Sequence, residues 1–421
     1  MLVIYNIGTL VTVSGDNSLR TGSLMNNINV IKNGFLVIKD GRFIEIGKND
    51  GYLKYKQVTL IDAEGKLVTP GLIDAHTHLV HKGSREDEFI LKLKGVSYLD
   101  ILKQGGGILN TVTKTRAASF DELMIQAEKS LNIMLKHGVT TVEAKSGYGL
   151  ELLSELKQLE VVKVLNQKHP IHLVSTFMGA HAIPNEYIHK RDEYIVLLKQ
   201  MLVKIKDASL ASFCDVFCED GVFSLKETED ILRFAENLGY MLKMHADEMT
   251  ALGGARLASK LKCHSAEHLI ASQLDDLKAL ADAKVVAVLL PLTSFFLNKP
   301  FANARAIIDF GGGIAIATDY NPGSSPSENL QLAMQIAAFK MKLTPEEIIT
   351  AVTINGAVSL GLEQTKGSIE VGKDADFVIF DCPNLDYLFY HFGINHVQDV
   401  YIKGKKVVSN QIIMEEKNEI C

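Results

Sequence analysis

Two rhythms of apolar residues divide the chain, a short alternation at both ends and a strand-then-helix pattern between them. Residues 1 to about 66 hold β-rich runs separated by turn signals: Leu2-Val3-Ile4-Tyr5, Val11-Thr12-Val13, Phe35-Leu36-Val37-Ile38 and Phe43-Ile44-Glu45-Ile46-Gly47. Asp40-Gly41 separates the last two, which predicts a hairpin. The far end repeats this texture. Ala375-Asp376-Phe377-Val378-Ile379-Phe380 and Val397 to Val408 read as strands, with Lys403-Gly404-Lys405 as a turn. The two β-rich ends predict one small β-sandwich domain built from both chain termini, residues 1–66 with 366–421, around a catalytic domain of residues 67–365.

In the middle, apolar runs that read as strands alternate with helical patterns. The strand candidates are Gly71–Val80, Thr140–Ala144, Ile171–Phe177, Phe213–Phe217, Met241–Met244, Cys263–Ala266, Val285–Leu290 and Ile314–Thr318. One helix is well marked: Ser119 and Glu122 have capping-box spacing, Leu123, Ala127, Leu131 and Leu135 recur at helical intervals, and Gly138 follows. Eight such β units predict an α/β fold, a closed (β/α)8 barrel of the TIM type. The alternative, an open doubly wound sheet, lacks the glycine-rich fingerprint expected after its first strand. The segment between Leu79 and Ser119 reads as a long, helix-poor loop on the catalytic face, carrying Arg85, Tyr98 and Gly105-Gly106-Gly107.

Composition narrows the partners. The 421 residues are 47% hydrophobic and 22% charged, a globular mixture, and the net charge of -6 leaves no basic face for nucleic acid. A small molecule is the expected partner. Met1 to Thr12 has no cationic leader and is interrupted by Asn6 and Thr9, so it reads as a strand and not a signal peptide. No apolar stretch is long enough to span a membrane. The five cysteines, Cys214, Cys218, Cys263, Cys382 and Cys421, are widely spaced and odd in number, which fits a reduced, cytoplasmic protein. Cys214 and Cys218 lack the second pair that a zinc site would need and read as buried thiols.

Chemistry enters at the strand ends. His76 and His78 close the first middle strand, and residues two apart on a strand face the same side, so both imidazoles reach one point. His245, His268 and Asp319 end the fifth, sixth and eighth strand candidates, the edge where barrels keep their active sites. His76, His78, His245 and Asp319 are the expected ligands of one divalent ion. Three imidazoles and a carboxylate suit zinc or iron better than magnesium, and spacing does not choose between the two. Such an ion brings the pKa of water to about 7, which supplies a hydroxide for hydrolysis. Glu248, three residues after His245, is the candidate proton carrier; His268 is a base or carbonyl polariser, and Asp319 is a ligand that also accepts a proton. Which of the three moves the first proton stays open.

The run Gly71-Leu72-Ile73-Asp74-Ala75-His76-Thr77-His78, the spacing His245-x-x-Glu248 and Asp319 resemble the amidohydrolase superfamily in its one-metal form. Ser97-Tyr98, Gly105-Gly106-Gly107-Ile108, Glu143 to Leu150, Thr176 to His181 and Ala317 to Gly323 narrow the resemblance to the imidazolonepropionase family of histidine degradation, along nearly the whole chain. That resemblance implies the substrate 4-imidazolone-5-propionate, opened to N-formimino-L-glutamate, and a homodimer that no residue pattern reveals. It implies Arg85 as the anchor of the substrate carboxylate. It also implies a pocket lined by Tyr98, Tyr148, His181, Glu248, Asn321, Gly323 and Ser324, the last a threonine in many relatives. Arg85 is followed by Glu86-Asp87-Glu88 and reads alternatively as part of a solvated charged loop; Tyr98 and Tyr148 read alternatively as packing aromatics. Lys145 resembles the carboxylated lysine of two-metal relatives, but with His181 and His268 used elsewhere a structural role is favoured. Two other readings share these motifs: a deaminase of a heterocyclic ring, which would release ammonia, and a catalytically inactive scaffold of the dihydropyrimidinase-like type.

Overall fold

A computed structural model describes residues 1–96 and 106–414. The β-rich ends form strands β1 Leu2–Val11, β2 Val30–Lys39, β3 Arg42–Lys48, β4 Thr59–Asp62 and β5 Leu67–Pro70. From the other end come β14 Phe377–Phe380, β15 Val397–Ile402, β16 Lys405–Ser409 and β17 Ile412–Ile413. Asp40-Gly41 makes the hairpin between β2 and β3, both residues having positive φ, as the turn's twist requires. Where the sequence predicts a sandwich, hydrogen bonding joins these strands into one nine-stranded mixed sheet. The reason is β5. It pairs parallel with β1 on one side and antiparallel with β14 on the other, so the two chain ends become neighbours across residues 67–70. One face of the sheet buries Ile4, Leu36, Phe43, Phe377 and Tyr401 together.

The middle of the chain supplies eight parallel strands in sequential order: β6 Leu72–Asp74, β7 Val139–Lys145, β8 His172–Ala180, β9 Phe213–Cys218, β10 Met241–Ala246, β11 Ser265–His268, β12 Val286–Leu289 and β13 Ile314–Ile316. Helices follow these strands, and their apolar faces pack outside in the main hydrophobic core. The one leading into β7, Phe120–Lys136, starts at a complete Ser119/Glu122 capping box and stops before Gly138 at φ 90. The seam between β6 and β13 is closed beyond the strands themselves. His78 N donates to Tyr320 O at 2.8 Å, Asp319 N to His76 O at 3.1 Å, and the Asp74 carboxylate takes both Thr318 N and Thr318 Oγ1. The residues that shut the barrel are therefore neighbours in sequence of those that carry its chemistry.

The segment after Leu79 is not helix-poor. Glu86–Leu93 and Ile108–Ala117 are helices within it. Glu86, Asp87 and Glu88, taken together as a sign of a charged loop, instead occupy the first helical turn, where negative charge meets the positive end of the helix dipole. Tyr98, Ser97 and Gly105 lie outside the described residues, as does Cys421. The other four cysteines are buried and unpaired. Among the described residues no helix is long and apolar enough to cross a membrane.

Candidate metal centre and active site

The C-terminal ends of β6, β10, β11 and β13 bring His76, His78, His245, His268 and Asp319 together, all nearly or fully buried. His76, His78 and Asp319 each offer one donor atom within 4.8 Å of the others, and so do His76, His245 and His268. His76 Nε2 stands 3.3 Å from Asp319 Oδ1 and His78 Nε2 stands 3.7 Å from it. His245 joins through His76, their ring centroids 4.6 Å apart. Asp319 takes a positive φ of 54, which turns its carboxylate in from the end of β13, and Thr293 Oγ1 donates to its other oxygen at 2.5 Å. Burial would raise the Asp319 carboxyl, but His76 and its other polar neighbours outweigh this and hold it down to about 2.

These residues fit a cation. His76 Nε2, His78 Nδ1, His245 Nε2 and His268 Nδ1 are buried without a hydrogen-bond partner among the described residues, a costly arrangement unless something positive completes it. Burial holds His78 well below, and His268 down at about 3, so both are neutral imidazoles with a lone pair to offer. His76 differs. Burial would lower it, yet the Glu267 carboxylate against its Nδ1 raises it to about 9, the response of an imidazole in a negative cradle.

Beneath the ligand cluster lies a layer of buried charge of which the sequence reading singled out only Lys145, as structural. Asp215 Oδ2 is 3.0 Å from His245 Nδ1, and Glu267 abuts His76 Nδ1, so each imidazole is oriented by a carboxylate from behind. Lys145 Nζ stands 2.7 Å from Asp215, 3.0 Å from Glu143 and 3.1 Å from Glu267. Lys243 adds a second ammonium, 3.3 Å from Glu143 and 3.4 Å from Glu267. Burial would lower Lys145, and the three carboxylates reverse this and raise it. Fully enclosed by acids, this ammonium is held as a cation. The signal was present: Glu143 and Lys145, like Lys243 and His245, are charged or polar residues two apart in otherwise apolar strands and thus face one side, the barrel interior.

Above the cluster opens a cavity of about 640 Å³, lined by His78, Arg85, Tyr148, His181, Glu248, His268, Asp319, Asn321, Gly323 and Ser324 among others. Of the expected pocket residues only Tyr98 is not among the described ones. Glu248 follows β10 with its side chain 17% exposed and its Oε2 3.6 Å from His268 Nε2. Burial, with Asp319 and Glu219 adding to it, pushes the Glu248 carboxyl up to about 8. Arg85 is no solvated surface charge. Its Nε and Nη2 donate to Glu88 Oε2 at 3.0 and 2.8 Å, which among the described residues leaves Nη1 and one hydrogen of Nη2 for a ligand. Gly323 makes room for it, since a Cβ there would come within 2.1 Å of Arg85 Nη1. His181 stacks on His78 with centroids 4.7 Å apart, and its Nδ1 reaches Gly147 O at 3.1 Å. Asn321 is committed to its own loop: Nδ2 donates to Asp319 O and Ser324 Oγ, and Oδ1 accepts from Gly323 N and Ser324 N.

Comparison with known proteins agrees with this geometry. Residues 67–407 match the model of the amidohydrolase family. The chain is 53% identical over 410 residues to the imidazolonepropionase of Alkaliphilus oremlandii, covering 96% of this chain and 97% of that one. It is 53% identical over 409 residues to the imidazolonepropionase of Fusobacterium nucleatum, covering 96% and 98%. Among solved structures, an adenosine deaminase from Xanthomonas campestris with bound zinc superposes with a TM-score of 0.73 over 98% of this chain and 94% of that one. At 19% identity that likeness is one of fold. The chain belongs to the amidohydrolase family and, within it, to the imidazolonepropionases.

Proposed function

We propose that this protein opens the ring of 4-imidazolone-5-propionate by hydrolysis to N-formimino-L-glutamate, with one divalent cation, zinc or iron, held by His76, His78, His245 and Asp319. The observation that carries the reading is a single cavity with a cradle of imidazole nitrogens beside a carboxylate at one place and a guanidinium, Arg85, at another, the nitrogens unpartnered and the guanidinium half free among the described residues. When bound, the cation supplies Lewis acidity that brings the pKa of water toward neutrality and polarises a carbonyl.

The side chains divide the remaining work. Arg85, preset by Glu88, binds the propionate through its free N–H groups. Tyr148 and His181 wall the ring side of the pocket, and Gly323 and Ser324 border the anchor. Water adds to the ring carbonyl carbon, the bond from that carbon to the ring nitrogen breaks, and the nitrogen leaves with a proton. Glu248, with a pKa near 8, still holds a proton at neutral pH and delivers it to that nitrogen. His268, neutral and buried, polarises the carbonyl or accepts from water, and Asp319, an anion in the resting site, is the other acceptor in reach.

The test is turnover. Purified protein supplied with 4-imidazolone-5-propionate is expected to form N-formimino-L-glutamate with no ammonia released. Ammonia release from an aminated ring, with the imidazolone untouched, would move the reading to a deaminase.

A further inference from the structure

Glu248 has an unusual setting: among the described residues its carboxyl accepts no hydrogen bond, yet the backbone on both sides of it is tied down by buried acids. On the side before it, Asp247 is fully buried at φ 50. Its carboxylate accepts from Gly253 N and Gly254 N at 2.9 Å, Ala255 N at 3.1 Å and Ser272 Oγ at 2.8 Å. That fastens the residue to the start of the helix Gly254–Leu261, where a carboxylate satisfies the free N–H groups. On the side after it the grip comes from another strand. Glu219, the residue following β9 and also fully buried, accepts from Met249 N at 2.8 Å, from Thr250 N at 3.4 Å and from Thr250 Oγ1. Its fourth donor among the described residues is Asp220 N at 3.0 Å. Three of its four donors therefore belong to the two residues directly after Glu248.

A buried carboxylate spent on a turn is costly unless its hydrogen bonds define something. Here they fix the main chain on both sides of a residue whose own side chain is left free to face the cavity. We infer that Glu219 is a positioning residue for Glu248: it grips Met249 and Thr250 and so sets where the Glu248 carboxyl stands before a ligand arrives. This rests on the role of Glu248 as proton carrier proposed above. Proton transfer demands close placement, and a displacement of about 1 Å costs roughly a hundredfold in rate. Glu219 lies outside the ligand cluster and the cavity lining, so its loss leaves the binding of cation and substrate in place.

The experiment is a double-mutant cycle on the holoenzyme with 4-imidazolone-5-propionate, reading kcat, KM and metal content. Glu219→Gln is expected to lower kcat by about ten- to a hundredfold with KM and metal content near those of the parent. In a Glu248→Gln background the same change is expected to cost nothing further, because the group it positions is already disabled. Thr250→Val, which deletes one donor at an exposed side chain, is expected to give a smaller loss of kcat that likewise vanishes in the Glu248→Gln background. If Glu219→Gln does not fold, the Thr250→Val cycle decides alone, and an unchanged kcat there overturns the inference. A Glu219→Gln loss that persists in full beside Glu248→Gln overturns the positioning role and leaves Glu248 standing. A Glu248→Gln enzyme with parental kcat overturns the proton-carrier reading, and the positioning role falls with it.

Discussion

Replacing Glu248 by glutamine keeps the shape of the side chain and removes the proton it can give. With Glu248 facing the cavity 3.6 Å from His268 and outside the ligand cluster, Glu248→Gln is expected to lower kcat by about a hundred- to ten-thousandfold while elemental analysis finds unchanged metal. Arg85→Ala acts at the other end of the cavity. It is expected to raise KM with kcat largely kept, because the guanidinium touches the unreacting tail; an unchanged KM in steady-state kinetics would remove it as the anchor. Such residues were legible because sequence position already placed them at strand ends, where His76, His78, His245, His268 and Asp319 stand out as polar residues closing apolar runs. Glu267, Asp215 and Thr293 were not read as functional, since one acid or hydroxyl in a strand or helix announces nothing until the fold supplies its partner. At Arg85 the acidic neighbours left a solvated loop as an alternative to the anchor, whereas Glu88 is the buried acceptor that orients it.

At the scale of elements, the eight strands of the barrel were visible as apolar runs, and the helix before β7 was visible from its cap, its apolar periodicity and the glycine after it. The two helices after Leu79 were missed because both are short, 8 and 10 residues, and acidic residues dominate the start of the first. What binds β7, β9, β10 and β11 below the site is the lattice around Lys145, in which one ammonium serves three carboxylates from different strands. Lys145→Met would leave those acids buried without their shared cation. It is expected to destabilise the fold by about 3–5 kcal/mol in urea unfolding and to weaken metal retention, since Asp215 and Glu267 orient His245 and His76. A variant as stable as the parent would show that Lys243 alone balances the layer.

Over the whole molecule, the sequence foretold a barrel flanked by one β domain paired from both termini; that β5 is the strand which joins the ends was not legible, because strand partners about 300 residues apart leave no local trace. The molecule also carries an acid liability, at His81 beside the active site and at His169. Burial holds His81 and His169 down to about 4, against an ordinary value of 6.5. The unfolded chain takes up these protons near 6.5 and the folded chain only near 4, so stability is full above 6.5 and is lost as pH falls through that window. His169 Nδ1 also accepts from Ile171 N at 3.2 Å, a bond that protonation would break. Urea midpoints measured down this pH range are expected to fall less steeply in His169→Gln than in the parent, and equal slopes would rule out the contribution. The central claim is that one cation held by His76, His78, His245 and Asp319 makes this cavity an imidazolone hydrolase. The direct measurement is turnover of 4-imidazolone-5-propionate against bound metal as chelated protein is titrated with zinc or ferrous ion. Activity that rises in proportion to metal and saturates at one ion per chain is the result predicted here; full turnover in metal-stripped protein would contradict it.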